Sequence, residues 1–172
     1  MAASIALSWS AINMKKAGVS AAVGEDFKAQ TEVLIEQKIL STLPKEYGRF
    51  TADARKILCA LAKVLQGKKG NIGIIFVNDT YCVEDNFKYY KDFITAGAKL
   101  GRANLFVYTL PTTPVAEAAI YFGLTGPLFY LGGNANISLA RKMAVDMVKT
   151  REAQGMAIVE KKNKTIYAYL VA

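Results

Sequence analysis

The chain has 172 residues, of which 52% are hydrophobic and 21% charged, with no histidine and a formal net charge of +8 at pH 7. This length and apolar fraction predict one domain (1–172) with a sizeable core and exclude a disordered chain. The absence of histidine excludes Ser-His or Cys-His catalysis and the usual zinc sites within this chain, and the positive charge favours an acidic partner.

The first third of the chain has only weak patterns of secondary structure. Alternating residues in "SIALSWSAI" (4–12) predict a first strand, followed by a loop over 13–24 and a weak helical pattern over 25–40 that ends before Pro44. The lysines near the N-terminus follow the apolar part, the reverse of a secretory signal, and no apolar run approaches the roughly 18 residues of a membrane span. We therefore expect a cytoplasmic protein with no membrane span.

The middle of the chain is patterned more clearly. A helix is predicted over 51–67, with Thr51 as its N-cap and Gly67 at its end. The nearly continuous apolar run "NIGIIFVN" (71–78) is typical of a strand that is buried on both faces. A second helix is expected over 82–101, and "NLFVYTL" (104–110) reads as a short strand or extended segment.

In the last third, strands and helices alternate. A short helix is predicted from Pro114 to just before Gly123, then a strand with a glycine bend (127–133) and a helix over 136–154. Two strands, 156–161 and 165–172, meet at "KKNK", a hairpin turn. This order predicts an α/β fold whose mostly parallel, five-stranded sheet carries helices on both faces.

The bend between the strand and the last helix is a candidate ligand site. Backbone N–H groups at a helix start can bind an anion or a carbonyl oxygen, here around Gly132, Gly133, Asn134 and Asn136. The alternative is structural: the glycines turn the chain and an asparagine caps the helix. The bend lacks the lysine and hydroxyl of a phosphate-binding loop.

Other polar or reactive residues suggest no cofactor and no metal. Cys59 reads as a core residue, whereas Cys82 follows a strand and has no histidine to activate it. Asp79, Glu84 and Asp85 could coordinate a cation or could be solvated residues at a helix start. The aromatic residues of the 82–101 helix favour core and protein interface over nucleic-acid binding.

Several segments resemble the N-terminal half of a β-ketoacyl synthase, a condensing enzyme of the thiolase-like superfamily. They are "YGRFTADARKILCALAKVL" (47–65), "GNIGIIFVN" (70–78) and "FVYTLPTTPVAEAAIYFGLTGP" (106–127), and the likeness spans about residues 47 to 160. Counted from Gly126 and Pro127, the position of the family's nucleophilic cysteine falls on Ala135. The family's other catalytic residues come from a second half of the fold, which we do not expect here.

The resemblance therefore implies a subunit with no catalytic residue of its own. In the family, the strand before the nucleophile pairs across a dimer axis, which points to Leu128, Phe129, Tyr130 and Leu131 as an interface. The expected partner is a second copy or a ketosynthase. The resemblance also makes an acyl carrier protein a natural partner for the lysines predicted in loops. These lysines are Lys15, Lys16, Lys68, Lys69, Lys161, Lys162 and Lys164.

The function indicated is that of an accessory, chain-length-factor-like subunit in fatty-acid or polyketide-type biosynthesis. Chain-length factors also lack the cysteine, although they keep both halves of the fold. Two alternatives stay open at this point. The chain could be one half of a split condensing enzyme that a second polypeptide completes, or a small α/β domain that binds an acyl or phosphate ligand.

Overall fold

The computed structural model describes residues 15–19, 27–80, 82–97, 102–133, 137–162 and 164–172. The strands are β1 (Lys15–Val19), β2 (Ile72–Asn78), β3 (Leu128–Leu131), β4 (Gly155–Lys162) and β5 (Thr165–Val171). The helices are α1 (Phe27–Glu36), α2 (Ala52–Leu65), α3 (Val83–Ala96), α4 (Ala103–Val107), α5 (Thr113–Phe122) and α6 (Ile137–Lys149). Within these ranges, no helix has the length and apolar character needed to cross a membrane.

The sheet is mixed, with the strand order β1-β5-β4-β2-β3. Strand β2 pairs in parallel with both β3 and β4, whereas β4–β5 and β5–β1 are antiparallel. The α/β class is thus confirmed, but a mostly parallel sheet is not, because two of the four pairings are antiparallel. The reason is the short turn between β4 and β5, since strands joined by a tight turn can only pair antiparallel.

Two sequence-based predictions of local structure are wrong. Residues 15–19 form the edge strand β1 where a loop was predicted, while the strand predicted over 4–12 lies outside the described residues. The segment 104–110, predicted as extended, begins within the short helix α4. Phe106 contacts Tyr89 of α3 and Tyr108 is buried in the core, whereas Val107 and Leu110 are exposed. A short apolar run cannot distinguish a strand from such a helix.

Helix ends follow the chemistry read from the sequence. The Thr51 hydroxyl accepts a hydrogen bond from the Ala54 N–H at 3.2 Å and so caps α2. Gly123 adopts a left-handed conformation with φ of 64° just after α5, as predicted. At the end of α2 the left-handed cap is Gln66, one residue before the predicted Gly67.

Helices cover both faces of the sheet. Helices α2 and α5 pack on one face, where Ile74 and Phe76 of β2 point. Helix α6 packs on the other face, against Ile75 and Val77. Successive side chains of β2 thus point to opposite faces of the sheet, and both faces are covered by helices. All seven residues of β2 are therefore buried, which explains its continuous apolar run.

Candidate functional site

Strand β3 lies at one end of the strand order, so one side of it has no strand partner among the described residues. On its other side it pairs with β2 in the register Ile74↔Leu128 to Val77↔Leu131. All four of its residues are half-buried. An edge strand of this kind offers unpaired backbone groups to another chain.

The side chains of β3 are anchored within the protein. Leu128 and Tyr130 pack toward the α2/α5 face, while Phe129 and Leu131 pack toward the α6 face. The Tyr130 ring lies 5.9 Å from that of Phe76, and its hydroxyl donates to the Asn78 carbonyl at 3.0 Å. At the predicted interface, the backbone edge of β3 is therefore more available to a partner chain than its apolar side chains are.

The register identifies which backbone groups of β3 face β2 and which face away from it. The Ile74 N–H donates to the Pro127 carbonyl at 2.8 Å, so Ile74 is the hydrogen-bonding member of its pair with Leu128. Bonding residues alternate along a parallel ladder. The N–H and C=O groups of Leu128 and Tyr130 consequently point away from β2, whereas those of Phe129 point toward it.

A close backbone approach sets this register. The turn before β3 runs against the start of β2 and the residues before it, with the Thr125 N–H donating to the Gly70 carbonyl at 2.8 Å. A Cβ on Gly126 would lie 2.4 Å from the Gly73 nitrogen and 2.5 Å from the Ile72 carbonyl carbon. The glycine of the "GP" pair is thus required by packing. The only sign of this close approach in the sequence is Gly73, a glycine inside an apolar strand.

The glycine bend follows β3 directly. Gly132 and Gly133 are half-buried, and Gly133 has a φ of 66°, which favours glycine over other residues. Helix α6 begins at Ile137, so the predicted order of strand, bend and helix is present. The candidate ligand residues Asn134 and Asn136, and Ala135 at the family's nucleophile position, lie outside the described residues. A ligand at this bend therefore stays a prediction.

The topology places the bend where α/β proteins commonly bind ligands. The connection after β2 leads to α5 on one face of the sheet, and the connection after β3 leads to α6 on the other. Ligands of α/β proteins commonly bind at the carboxyl ends of parallel strands, which is where the bend lies. The carboxyl ends of β2 and β3 are linked by the hydrogen bond from the Tyr130 hydroxyl to the Asn78 carbonyl.

The acidic residues beyond β2 do not form a metal centre with the described part of the chain. Asp79, Glu84 and Asp85 line an open cleft with Cys82 and Lys161. The Asp85 carboxylate is paired with the Lys88 ammonium at 3.2 Å. Across the residues the structure describes, no group of three or more metal-type side chains could hold an ion.

Both cysteines of the chain are in environments that favour the neutral thiol. Burial raises the pKa of Cys59, which is a core residue beside Thr31. The pKa of Cys82 is raised by burial and, to a smaller extent, by the negative charge of Asp85, with Lys161 opposing. The thiolate is the nucleophilic form of cysteine, so the raised pKa of both thiols disfavours that form.

The lysines predicted in loops separate into distinct environments. Lys15 and Lys16 belong to β1, and Lys161 is a half-buried residue of β4 whose ammonium contacts the Asp53 carboxylate at 2.6 Å. Four others are exposed: Lys68 and Lys69 before β2, and Lys162 and Lys164 around the end of β4. Because β2 and β4 run parallel, these two pairs lie at opposite ends of the sheet. They do not form one patch.

A comparison with solved structures finds the same fold. The chain is similar to a chain in the structure of a ketosynthase (ApeO) in complex with its chain length factor (ApeC) from Xenorhabdus doucetiae. The TM-score is 0.64 at 11% sequence identity, and the match covers 93% of this chain and 78% of that chain. The two chains are therefore of comparable length. At this identity the likeness shows a shared fold alone.

Comparisons of sequence add no closer relationship. No family model matches the chain, and no curated protein matches it.

Proposed function

We propose that this chain is a non-catalytic, ketosynthase-like subunit that pairs through β3 with a ketosynthase-type chain. Its role is that of an accessory or chain-length-factor-like partner in fatty-acid or polyketide-type biosynthesis. The observation that carries the proposal is the backbone of Leu128 on the edge strand β3, whose N–H and C=O groups point away from β2, on a strand whose side chains are already anchored. Support also comes from the shared fold with a chain of a ketosynthase and chain length factor complex.

The chemistry of the chain supports a role other than catalysis. The sequence has no histidine, and both of its cysteines have a raised pKa. The resemblance places an alanine, Ala135, where the family has its nucleophile. These features favour an accessory subunit over half of a split condensing enzyme, since the latter would need a nucleophile near position 135.

An acyl carrier protein is a further proposed partner. Carrier proteins are acidic, and this chain has a formal net charge of +8. The exposed Lys162 and Lys164 lie at the carboxyl end of β4, the same end of the sheet as the glycine bend after β3. We propose that a carrier protein docks at this end of the sheet, beside the glycine bend.

Proline substitution at the open edge tests the pairing. Leu128→Pro removes an N–H that points away from β2, so β2–β3 pairing is kept while edge pairing is blocked. Leu128→Ala is the matched control, because it loses the same side chain and retains the N–H. Both variants are expected to lose about 1–2 kcal/mol of stability from the half-buried leucine.

The readout is capture of partners from the source cells by the tagged full chain, together with light scattering of the chain alone. We expect wild type and Leu128→Ala to capture a chain that carries the ketosynthase cysteine and histidines, and Leu128→Pro to lose it. Equal capture by both variants would exclude the β3 edge as the interface. A stable homodimer that only Leu128→Pro dissolves would show that the chain pairs with itself at this edge, against the proposed heterodimer.

A further inference from the structure

Helix α3 has two faces of different character. On one face, the Tyr89 ring lies 5.5 Å from that of Phe106 on α4, and the Asp92 carboxylate accepts a hydrogen bond from Arg102 Nε at 2.9 Å. The same hydrogen bond lowers the pKa of Asp92. This face is therefore occupied by α4, and it accounts for how α3 is held to the protein.

The opposite face carries an apolar stripe that the described structure leaves exposed. Val83, Phe87, Tyr90 and Ile94 are 65%, 66%, 60% and 60% exposed, and no residue of α3 is buried. At 100° per residue these four side chains lie within one narrow sector of the helix. A contiguous row of large apolar side chains on a helix is typical of a protein interface. We name these four residues the α3 stripe.

The spacing of the α3 stripe is that of a coiled-coil seam. Its members are separated by four, three and four residues, which corresponds to alternating a and d positions of a heptad. The spacing is the same when it is read in reverse. An antiparallel second copy would thus bring Val83 of each chain opposite Ile94 of the other, and Phe87 opposite Tyr90.

The charges beside the stripe fit the same arrangement. Glu84 and Lys91 are both exposed and occupy equivalent flanking positions, one heptad apart. In an antiparallel pair, flanking positions of the same kind face each other across the seam. Glu84 of one copy would then face Lys91 of the other, and the two-fold symmetry would repeat this attractive pair. In a parallel pair, these flanking positions face the flanking positions of the other kind, so Glu84 and Lys91 would not face each other.

We propose that the α3 stripe binds the α3 stripe of a second copy of this chain, antiparallel and across a two-fold axis. This surface is separate from the β3 edge, so it would join two copies, each free to pair with its own β3 partner. The helix of 14 residues is about 21 Å long. A contact made by four side chains of one helix is small beside specific interfaces, which bury about 1,200–2,000 Å², so we expect a weak, reversible dimer.

A charged residue in the stripe tests the surface. Phe87→Glu is compared with Ile120→Glu, a matched control in which an 80% exposed residue of α5 receives the same charge. By sedimentation of the full chain from about 10 to 500 µM, we expect wild type and Ile120→Glu to dimerise with rising concentration. Phe87→Glu is expected to weaken this association at least tenfold. The same difference is expected in the Leu128→Pro background, which separates this dimer from any pairing at β3.

Exchange of the flanking charges tests the orientation. Glu84→Lys and Lys91→Glu should each weaken self-association about threefold or more, because like charges then face each other. The double variant Glu84→Lys/Lys91→Glu should restore it, and the two single variants should prefer each other when mixed.

Three results would overturn the proposal. They are a wild-type chain that stays monomeric at 500 µM, a double variant that fails to recover, and a Phe87→Glu variant that loses partner capture while its self-association is unchanged. The first would mean that the stripe is covered within the chain or by another protein. The last would assign it to the ketosynthase-type partner.

Discussion

Substitution of Gly126 by alanine should disrupt the pairing of β2 and β3. The added Cβ would lie 2.4 Å from the Gly73 nitrogen, 2.5 Å from the Ile72 carbonyl carbon and 2.8 Å from the Ile72 carbonyl oxygen. All three atoms belong to the backbone of β2. This strand is held between β3 and β4, so it cannot move aside as a flexible side chain could. The turn before β3 must therefore shift away from β2.

The expected cost follows from the contacts that such a shift loosens. Overpacking against a rigid neighbour costs about 1–3 kcal/mol. The shift also strains the hydrogen bonds from the Gly126 N–H to the Ile72 carbonyl (3.2 Å) and from the Thr125 N–H to the Gly70 carbonyl (2.8 Å). With roughly 1 kcal/mol for each of the two hydrogen bonds, we expect a total loss of about 3–5 kcal/mol. With an m-value near 2 kcal/mol/M, the urea midpoint should fall by about 1.5–2.5 M.

Equilibrium unfolding in urea, followed by circular dichroism, measures this loss. Gly48→Ala is the control, because a Cβ at Gly48 meets no atom within 4 Å and its φ lies outside the left-handed region. That variant should stay within about 0.5 kcal/mol of wild type. If Gly126→Ala unfolds at the same urea concentration as Gly48→Ala, the argument that close approach fixes the β3 register is wrong.

Two further predictions concern charge. Burial raises the pKa of the Glu117 carboxyl, which accepts a hydrogen bond from the Tyr108 hydroxyl at 2.7 Å. Folding therefore favours the protonated carboxyl, and the free energy of unfolding should fall as the pH rises above the pKa of Glu117 in the unfolded chain. Glu117→Gln should therefore raise the melting temperature more at pH 7 than at pH 4.5, and an equal change at both would refute this. Reversal of Lys162 and Lys164 to glutamate should weaken carrier-protein binding at least threefold in titration calorimetry, whereas reversal of the Lys68–Lys69 pair should not. The opposite ranking would place docking at the other end of the sheet.

Local chemistry in the sequence was sufficient for much of the fold. The cap at Thr51, the proline at the start of α5 and the glycine after it fixed helix ends, because these residues act through neighbouring backbone groups. The continuous apolar run of β2 correctly indicated a strand covered on both faces. These signals are local, and the structure agrees with them.

Features that depend on distant contacts were missed. The strand at β1 pairs with β5, about 150 residues away in the chain, and "KKAGV" has no alternating pattern to indicate it. The resemblance pointed to β3 as an interface strand, but only its register with β2 shows which of its backbone groups face away from the sheet. Lys161 looked like a loop residue because its partner Asp53 lies on another element.

The position of β5 bears on how the chain acquires its structure during synthesis. This strand lies between β1 and β4 in the sheet although it comes last in the chain. Until residues 165–171 have left the ribosome, β1 has no strand to join, and the α2 side chains that pack on β5 have no cover. Folding must therefore wait for a contact of very long sequence separation, which slows it. The nascent chain should depend on chaperones during this interval.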